Sequence, residues 1–539
     1  MHKLKQNTLK ILLIITTYVY AFEMTANPSF YVNNTEIVGT SSKDVDIYLG
    51  IPYAEPPIDS LRWEVTQPKI FETNKFVADK FAPACMQGLR IVNWYKGVAA
   101  GFGGDPNYIK TPEISEDCLY LNMWVPTNLD NKEKIPVLIY IHGGSNRAGW
   151  SFEPNYIGKN LSKKGVIVIT VSYRLGVFGF YSHPNLKASN FALLDLIESL
   201  NWVKKNIAKV GGDPENITIS GESAGATNVA HLIASPLAKG LFNKAIHQSA
   251  GWSIAEKDLD YDIQTELSEK LSIKLIGETN KSNNLKKLRA IDSVTLLNSA
   301  EDIFGYVGYY PVIDSYSIFE PLYKSYEQGN FNHVDLIIGT NADEELMYLD
   351  KDYYLSDFYD ERESLGFYTK AEDLDSLTVN FITEKEKLNY LLTARNWTCP
   401  SFFIAKSLNE HTNKHVWFYS FDKVRDGSKS KEMGAYHGAE LPYIFNTHDN
   451  WLPTSDTDIA ITNKIQDFWI NFVKTGNPNN QLKEWDSYDS NDFNVLSFNS
   501  ETSMQTSSSA KICRILEYKN LIQCHEFFKY LLIISLKYQ

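Results

Sequence analysis

Apolar, β-branched runs bounded by turn residues recur through the chain, and each run predicts a buried strand. They are Pro136–Ile141, Val166–Val171, Ile217–Ile219, Val334–Ile338 and Val416–Phe421. Continuous apolar runs of this length are typical of strands that are covered on both faces of a parallel sheet. Between them, apolar residues follow helical spacing, as in Phe191–Val203. Strands that alternate with helices predict an α/β fold with a large, mostly parallel central sheet flanked by helices.

The N-terminal part of the chain has a different pattern. The stretch Ile37–Phe71 has the features of short hairpin strands, which predicts a small N-terminal antiparallel sheet. No internal repeat and no linker-like boundary divides the sequence that follows. We therefore expect a single large domain over residues 22–525.

Both ends of the chain are apolar. Three lysines precede an apolar run, and Val19-Tyr20-Ala21 resembles a signal-peptidase site, which predicts a signal peptide over residues 1–21 and secretion. The alternative, an uncleaved anchor, needs a run that spans about 30 Å of hydrocarbon, and this one is short. Residues 526–539 form an interrupted apolar tail, either a terminal helix or a lipid-anchor signal. We expect no transmembrane helix.

The charge argues against one class of partner. The formal net charge is −13, and removal of residues 1–21, with three lysines and no acid, makes it −13 − 3 = −16. Nucleic-acid binding requires a basic surface, so we do not expect it. Solubility is the simplest role of the acidic surface.

Secretion changes how the five cysteines are interpreted. An oxidising compartment favours disulfides, and an odd number leaves one thiol over. No C-x-x-C pair or Cys/His cluster has zinc spacing, so we expect no metal. Five Asn-x-Ser/Thr acceptors are candidates for glycosylation: Asn33, Asn160, Asn216, Asn280 and Asn396.

The strongest chemical signal is Gly221-Glu222-Ser223-Ala224-Gly225. It follows the predicted strand Ile217–Ile219 and precedes a helical pattern over Ala226–Ala234, which is the context of a nucleophile elbow. The tight turn raises the serine hydroxyl out of the sheet and directs a helix N-terminus at a developing oxyanion. Ser223 is therefore the predicted nucleophile.

A serine nucleophile needs a base and an orienting acid, which follow it in the chain order of this fold. The best-placed base is His437, in a loop after the strand Val416–Phe421, whereas His247 suits a structural histidine with satisfied hydrogen bonds. The acid lies after Val334–Ile338, but spacing alone does not choose among Asp343, Glu344 and Glu345.

Three motifs resemble those of the type-B carboxylesterases and cholinesterases, a family with the α/β-hydrolase fold. The nucleophile signature spans 211–225, a second signature covers 116–122, and a late helix and turn include Phe468-Trp469 and Thr475–Pro478. The resemblance covers nearly the whole mature chain. It implies a Ser-His-Glu triad in which Glu344 is the acid, although the family often has glycine where this chain has Glu345.

The resemblance also implies structural links. Cys85 would pair with Cys118, and Cys399 with Cys513. Cys524 would then be unpaired, either as a free thiol or as a link between two subunits of a homodimer. Ion pairs are implied between Arg62 and Glu116 and between Arg174 and Asp195.

The oxyanion loop departs from the family pattern. The usual His-Gly-Gly-Gly is His142-Gly143-Gly144-Ser145 here. The implied donors are the backbone N–H groups of Gly144, Ser145 and Ala224, which a side-chain change leaves intact. Ser145 adds a side chain where a substrate carbonyl must approach, so we expect an active site with altered acyl preference.

These observations predict a secreted serine carboxylesterase that acts on small-molecule esters without a cofactor. One alternative is a cholinesterase, but Tyr108 stands where those enzymes carry a cation-binding tryptophan, and Trp94 is nearby but unaligned. The other is a non-catalytic adhesion relative, against which all three triad residues argue.

Overall fold

A large β-sheet with helices on both faces is the framework of the molecule. The computed structural model describes residues 27–516, except 128, 130–132, 252–253, 255–260, 281–283, 306–308, 364, 366, 368 and 449–450. The predicted cleavage at Ala21, the tail 526–539 and Cys524 lie outside the described residues. Within the described residues, no helix is long and apolar enough to cross a lipid bilayer.

The strands of the described chain are short to medium in length, and their bounds are as follows: β1 Ser29–Val32, β2 Thr35–Val38, β3 Thr40–Ser42, β4 Val45–Pro52, β5 Lys75–Val77, β6 Ala84–Cys85, β7 Ile114–Ser115, β8 Tyr120–Pro126, β9 Ile135–Ile141, β10 Ile167–Val171, β11 Gly212–Glu222, β12 Lys244–Gln248, β13 Asp335–Asn341, β14 Val416–Phe421, β15 Asn494–Phe498 and β16 Ser503–Thr506.

The α-helices of the described chain have these bounds: α1 Arg90–Phe102, α2 Lys159–Ser162, α3 Gly176–Gly179, α4 Phe191–Asn206, α5 Ala224–Ala234, α6 Tyr261–Ile276, α7 Leu285–Arg289, α8 Ser293–Phe304, α9 Leu322–Gln328, α10 Leu355–Glu361, α11 Ala371–Leu377, α12 Glu384–Thr393, α13 Cys399–His411, α14 Ser430–Met433, α15 Leu441–Phe445, α16 Asp456–Thr475 and α17 Ala510–Ile515.

Eleven strands of the described chain form one sheet in the order β16-β15-β14-β13-β12-β11-β9-β10-β8-β4-β3. Every pair from β10 through β9, β11, β12, β13 and β14 to β15 is parallel. The outer pairs, such as β4 with β8 and β15 with β16, are antiparallel. The predicted fold class, a large and mostly parallel sheet flanked by helices, is confirmed.

The predicted strands match the observed ones closely, because both faces of this sheet are covered. Along β9, Val137 and Ile139 pack into one core, whereas Leu138 and Tyr140 pack into the other. Helices α4 and α5 belong to the first core, and α1, α15 and α16 belong to the second. A strand that is buried on both faces has no polar face, which is why its sequence is a continuous apolar run.

The small N-terminal sheet has three strands in the described chain and is mixed. β1 and β2 form an antiparallel hairpin, and β5 adds to β2 in parallel. Of the stretch predicted as hairpins, β3 and β4 pair with each other and extend the large sheet instead. Residues 53–71 form a 3-10 turn at Asp59–Leu61 and an isolated bridge rather than a further hairpin.

Two disulfides are present, and both are the implied pairs. Cys85 is joined to Cys118, and Cys399 is joined to Cys513 across 114 positions. The second one ties α17 to the start of α13. The C-terminal end of the described chain is therefore fastened to the region that follows β13.

Both implied ion pairs are formed in the interior. Arg174 donates to Asp195 from its backbone N–H at 3.0 Å, from Nε at 2.8 Å and from Nη2 at 2.7 Å. Arg62 Nε donates to Glu116 Oε2 at 2.7 Å. Three hydrogen bonds to one carboxylate compensate part of the cost of burying the charges of the first pair.

Candidate active site

Ser223 lies at the turn between the end of β11 and the start of α5. Its backbone has φ 55° and ψ −128°, a conformation that a residue with a side chain adopts only under strain. Its N–H is held by the carbonyl of Gln248 on β12 at 2.9 Å. The neighbouring strand and the following helix therefore hold the serine in the position that the sequence predicts for a nucleophile elbow.

Two flanking glycines make this turn sterically feasible. A Cβ at Gly225 would lie 2.1 Å from the carbonyl oxygen of Ile141 on β9. A Cβ at Gly221 would lie 2.5 Å from the carbonyl carbon of Gly225. The glycines of the motif are needed because backbone meets backbone where the strand turns into the helix.

The three consecutive acids after β13 point in different directions. Glu344 Oε2 lies 2.7 Å from Nδ1 of His437, and its Oε1 accepts the backbone N–H of Asn341 at 2.7 Å. Asp343 Oδ2 accepts the N–H of Ala435 instead. Glu345 Oε1 accepts from the side chains of Asn396 and Trp397. Of the three, Glu344 is the carboxylate hydrogen-bonded to the histidine.

The other nitrogen of His437 faces an acid from the elbow motif. Nε2 lies 3.1 Å from Oε1 of Glu222, and both side chains are buried. No hydrogen bond joins Ser223 to His437 among the described residues. Such contacts are often long or misaligned before a substrate binds, so this arrangement is compatible with a role of His437 as base.

The imidazole lies among several carboxylates. Burial disfavours its charged form, but Glu222 and then Glu344 outweigh burial and raise the pKa of His437 to about 9. Burial raises the pKa of Glu222 to about 8. Burial also raises the pKa of Glu440, whose oxygens accept from Gln248 Nε2 at 2.9 Å and Asn341 Nδ2 at 2.7 Å. The site therefore favours positive charge on the imidazole.

The predicted oxyanion donors belong to the loop after β9 and to the first residue of α5. None of the hydrogen bonds among the described residues uses the backbone N–H of Gly144, Ser145 or Ala224. Ser145 has φ 59°, in the left-handed region where glycine is favoured. The next residue, Asn146, is buried and accepts from Asn228 Nδ2 at 3.0 Å. The hydrogen bond from Asn228 to Asn146 thus holds the loop in place. The N–H groups of Gly144 and Ser145 have no partner among the described residues and could donate to a negatively charged oxygen.

Two aromatic rings pack against the imidazole of His437. The Trp397 ring centroid lies 4.6 Å from that of His437, and Tyr348 meets the ring edge-on at 5.9 Å. Tyr108, which the cholinesterase interpretation needs, lies in a 3-10 turn and is 43% exposed. Trp94 packs against Tyr436, the residue before His437, with centroids 6.1 Å apart.

The sequence analysis did not identify three residues that lie close to His437: Glu222, Glu440 and Trp397. Glu222 lies inside the elbow motif and Glu440 three residues after His437, so both were visible as candidates, whereas no sequence signal marks Trp397. His247 is buried in β12 as expected, and burial lowers its pKa to about 4. No other described residue forms a hydrogen bond with either ring nitrogen of His247.

A large, mostly parallel sheet with a strained serine between a central strand and a helix defines an α/β hydrolase. Comparison with known proteins identifies a family within this class. The sequence model of the Carboxylesterase family matches residues 26–516 of the chain. The chain belongs to the carboxylesterase family, and the resemblance inferred from its motifs is confirmed.

Relatives of two kinds are similar to the chain. The para-nitrobenzyl esterase of Bacillus subtilis (strain 168) is 30% identical over 489 residues, which cover 87% of this chain and 94% of that protein. Neuroligin-3 of Mus musculus is 31% identical over 512 residues, which cover 84% of this chain but only 60% of that protein. Among solved structures, a PNB esterase aligns with a TM-score of 0.77 and 26% identity, covering 91% of this chain and 99% of that chain.

Proposed function

We propose that the chain is a secreted serine carboxylesterase that hydrolyses small-molecule carboxylic esters through an acyl-serine intermediate. The observation that carries the proposal is the 2.7 Å contact between Glu344 and Nδ1 of His437, beside the strained Ser223 and the free N–H groups of the oxyanion loop. These groups have the roles that acyl transfer needs.

In the proposed mechanism, Ser223 Oγ attacks the ester carbonyl while Nε2 of His437 accepts its proton. Glu344 holds the imidazole in the tautomer with the proton on Nδ1 and stabilises its charged form. The N–H groups of Gly144, Ser145 and Ala224 bind the developing oxyanion. His437 then donates the proton to the leaving alcohol, and a water activated by the same base releases the acid.

Secretion is the second part of the proposal. Two disulfides are consistent with an oxidising compartment, because such bonds rarely persist in the cytosol. Measuring the mature N-terminus of the exported chain tests the expected cleavage after Ala21. A secreted chain that still begins at Met1 would contradict the expected cleavage, and a chain that is not exported would contradict secretion.

The test of the chemistry is Ser223→Ala, which should abolish turnover of nitrophenyl esters while the protein remains folded. Ser199→Ala is the matched control, because that hydroxyl is buried in α4 and donates to the carbonyl of Leu196. An organophosphate should label Ser223 in the native chain. Wild-type turnover by Ser223→Ala would exclude the proposed nucleophile.

The similarity to neuroligin-3 is the reason to test the second alternative, a non-catalytic adhesion protein. A purified native chain with no turnover on a panel of acyl, naphthyl and nitrophenyl esters, and no organophosphate label, would favour that alternative. The same panel with choline esters tests the cholinesterase alternative, which predicts a higher kcat/KM for choline esters than for neutral esters of the same acyl group.

A further inference from the structure

Of the five candidate glycosylation sites, one differs from the rest in its surroundings. Asn33 is exposed, lies on the turn between β1 and β2 with φ 52°, and has no hydrogen-bond partner among the described residues. A left-handed turn position in a hairpin directs its side chain into solvent, and asparagine tolerates this conformation well.

The other four acceptor nitrogens are engaged with distant parts of the chain. Asn160 Nδ2 donates to the carbonyl of Asn446 at 2.8 Å, and Asn216 Nδ2 donates to that of Lys474 at 3.0 Å. The remaining two nitrogens donate to the carbonyl of Ser182 from Asn280 at 3.4 Å, and to Oε1 of Glu345 from Asn396 at 2.6 Å.

We propose that Asn33 is the N-glycosylation site of this protein and that the other four asparagines stay unmodified in the folded chain. The modification places a bulky sugar on Nδ2. The amide nitrogen forms a bond to C1 of the first sugar, the bond from C1 to the oxygen of a lipid diphosphate breaks, the lipid diphosphate leaves as an anion, and the amide proton is released to the solvent. A sugar on any of the four engaged nitrogens would replace a proton on that nitrogen and disturb the hydrogen bond that it makes in the folded chain.

Mass spectrometry of the full chain, expressed through the secretory pathway of insect cells, tests the proposal. Enzymatic deglycosylation in heavy-oxygen water marks each modified asparagine as labelled aspartate. The label is expected at residue 33 alone, and Asn33→Asp should reduce the intact mass to that of the polypeptide. Asn34→Asp is the matched control, because it leaves the Asn33-x-Thr35 acceptor sequence intact. The proposal rests on the proposed secretion, so the test uses chain recovered from the medium. An unlabelled Asn33 in that chain, or a label at any of the other four, would overturn the proposal, whereas absence of the chain from the medium would contradict secretion instead.

A second observation, independent of the first, concerns Glu345, which stands where the family often has glycine. Its Oε1 accepts from Asn396 Nδ2 at 2.6 Å and from Trp397 Nε1 at 2.8 Å. Both donors belong to a π-helical segment, Ala394–Thr398. Such segments are rare and occur frequently at functional sites.

Trp397 connects this acid to the imidazole. The indole is 8% exposed, and its ring centroid lies 4.6 Å from that of His437, with the planes at 46°. Its carbonyl accepts from Ser401 Oγ at 2.7 Å. An aromatic face within about 6 Å of a cation stabilises it, so the indole favours the imidazolium that forms during acyl transfer.

We infer that Glu345 is a positioning residue that holds Trp397 against His437, an inference that rests on the proposed function. Glycine at this position offers no acceptor for either donor. The indole N–H and the Asn396 amide would then have to find other partners, and the π-helical segment would lose its link to the turn that carries Glu344.

Kinetics of five variants test this role. Glu345→Gly removes both hydrogen bonds, and the one that holds the indole should account for a fall in kcat of about fivefold with little change in KM. Glu345→Gln, which keeps an acceptor oxygen, should restore most of the loss. Trp397→Phe lacks the N–H, so adding Glu345→Gly to it should cost almost nothing more. Glu64→Gly, which removes a carboxylate bound to Arg289, is the control.

The pH profile separates positioning from general destabilisation. Glu345→Gly and Glu345→Gln both remove the charge of Glu345, which itself acts on His437, so both should move the acid limb of kcat/KM to lower pH. Glu345→Gly should move it further, since only glycine also releases the indole from the imidazolium, while Glu222, Glu344 and Glu440 still face that ring. Wild-type kcat in Glu345→Gly, or fully additive losses in the double variant, would overturn the inference. Loss of the Ser223 requirement would instead contradict the proposed function.

Discussion

Nε2 of His437 lies 3.1 Å from Oε1 of Glu222, the residue directly before the proposed nucleophile. The nitrogen that accepts the serine proton in the proposed mechanism therefore faces a carboxylate. When the imidazole is protonated, the pair is attractive, and His437 is held in a form that is inactive as a base. Deprotonation weakens that attraction and frees Nε2 for Ser223.

The pair leads to a prediction about pH. Only the neutral imidazole acts as base, so kcat/KM should rise with pH along a limb centred above 6.5, the unperturbed value for histidine. Glu222→Gln removes the charge that favours the imidazolium, and the limb should shift down by about 1–3 pH units. The measurement is kcat/KM from pH 5 to 10 in both forms, with Glu432→Gln at the surface as the control. An unshifted limb would show that Glu222 does not act on His437.

Ser145 is predicted to limit both the rate and the stability of the oxyanion loop. At φ 59°, glycine is favoured over any residue with a Cβ, so Ser145→Gly should relieve strain of about 1–2 kcal/mol. The backbone donor is kept and a side chain is removed, so kcat/KM should rise, most for bulky acyl esters. The comparison is made with acetyl and longer acyl esters. Lower values for every ester would indicate that the serine hydroxyl assists the reaction.

The buried pair of Arg174 and Asp195 is predicted to be costly to break from one side. Asp195→Asn leaves Arg174 charged and buried, which should lower the free energy of unfolding by about 3–5 kcal/mol. The exposed pair of Glu266 and Lys270 is the control, because its removal should cost about 0.5 kcal/mol or less. Denaturant unfolding of the two variants provides the comparison. Equal effects would mean that the buried carboxylate is not needed in its charged form.

Cys399 with Cys513 is predicted to stabilise the region beside the site. The bond closes a loop of 114 positions, and replacing both cysteines by serine should lower the free energy of unfolding by about 2–5 kcal/mol. Because α13 begins directly after the π-helical segment that carries Trp397, kcat should fall as well. Unfolding and kcat are measured on the same preparation, with Cys524→Ser as the control. An unchanged unfolding curve would exclude a stabilising role for this bond.

The amino-acid sequence alone was sufficient to predict the central strands, the strand-to-helix turn at Ser223 and the histidine, His437, that contacts an acid after β13. The strands are readable because burial on both faces leaves continuous apolar runs, as in Val416–Phe421, which matches β14 residue for residue. The elbow is readable because its glycines are required wherever backbone passes against backbone. These features depend on local chemistry, which a short stretch of sequence contains in full.

The tertiary structure decided how the side chains of the site pair. Asp343, Glu344 and Glu345 are adjacent acids, and only the turn after β13 determines which one meets a histidine 93 positions later. Glu222 lies at Nε2 because two segments far apart in sequence pack together. Asn33 and Asn396 share one sequence pattern, yet one is exposed and the other donates to Glu345. Distances between remote residues depend on the packing of the whole chain, and local sequence does not contain that information.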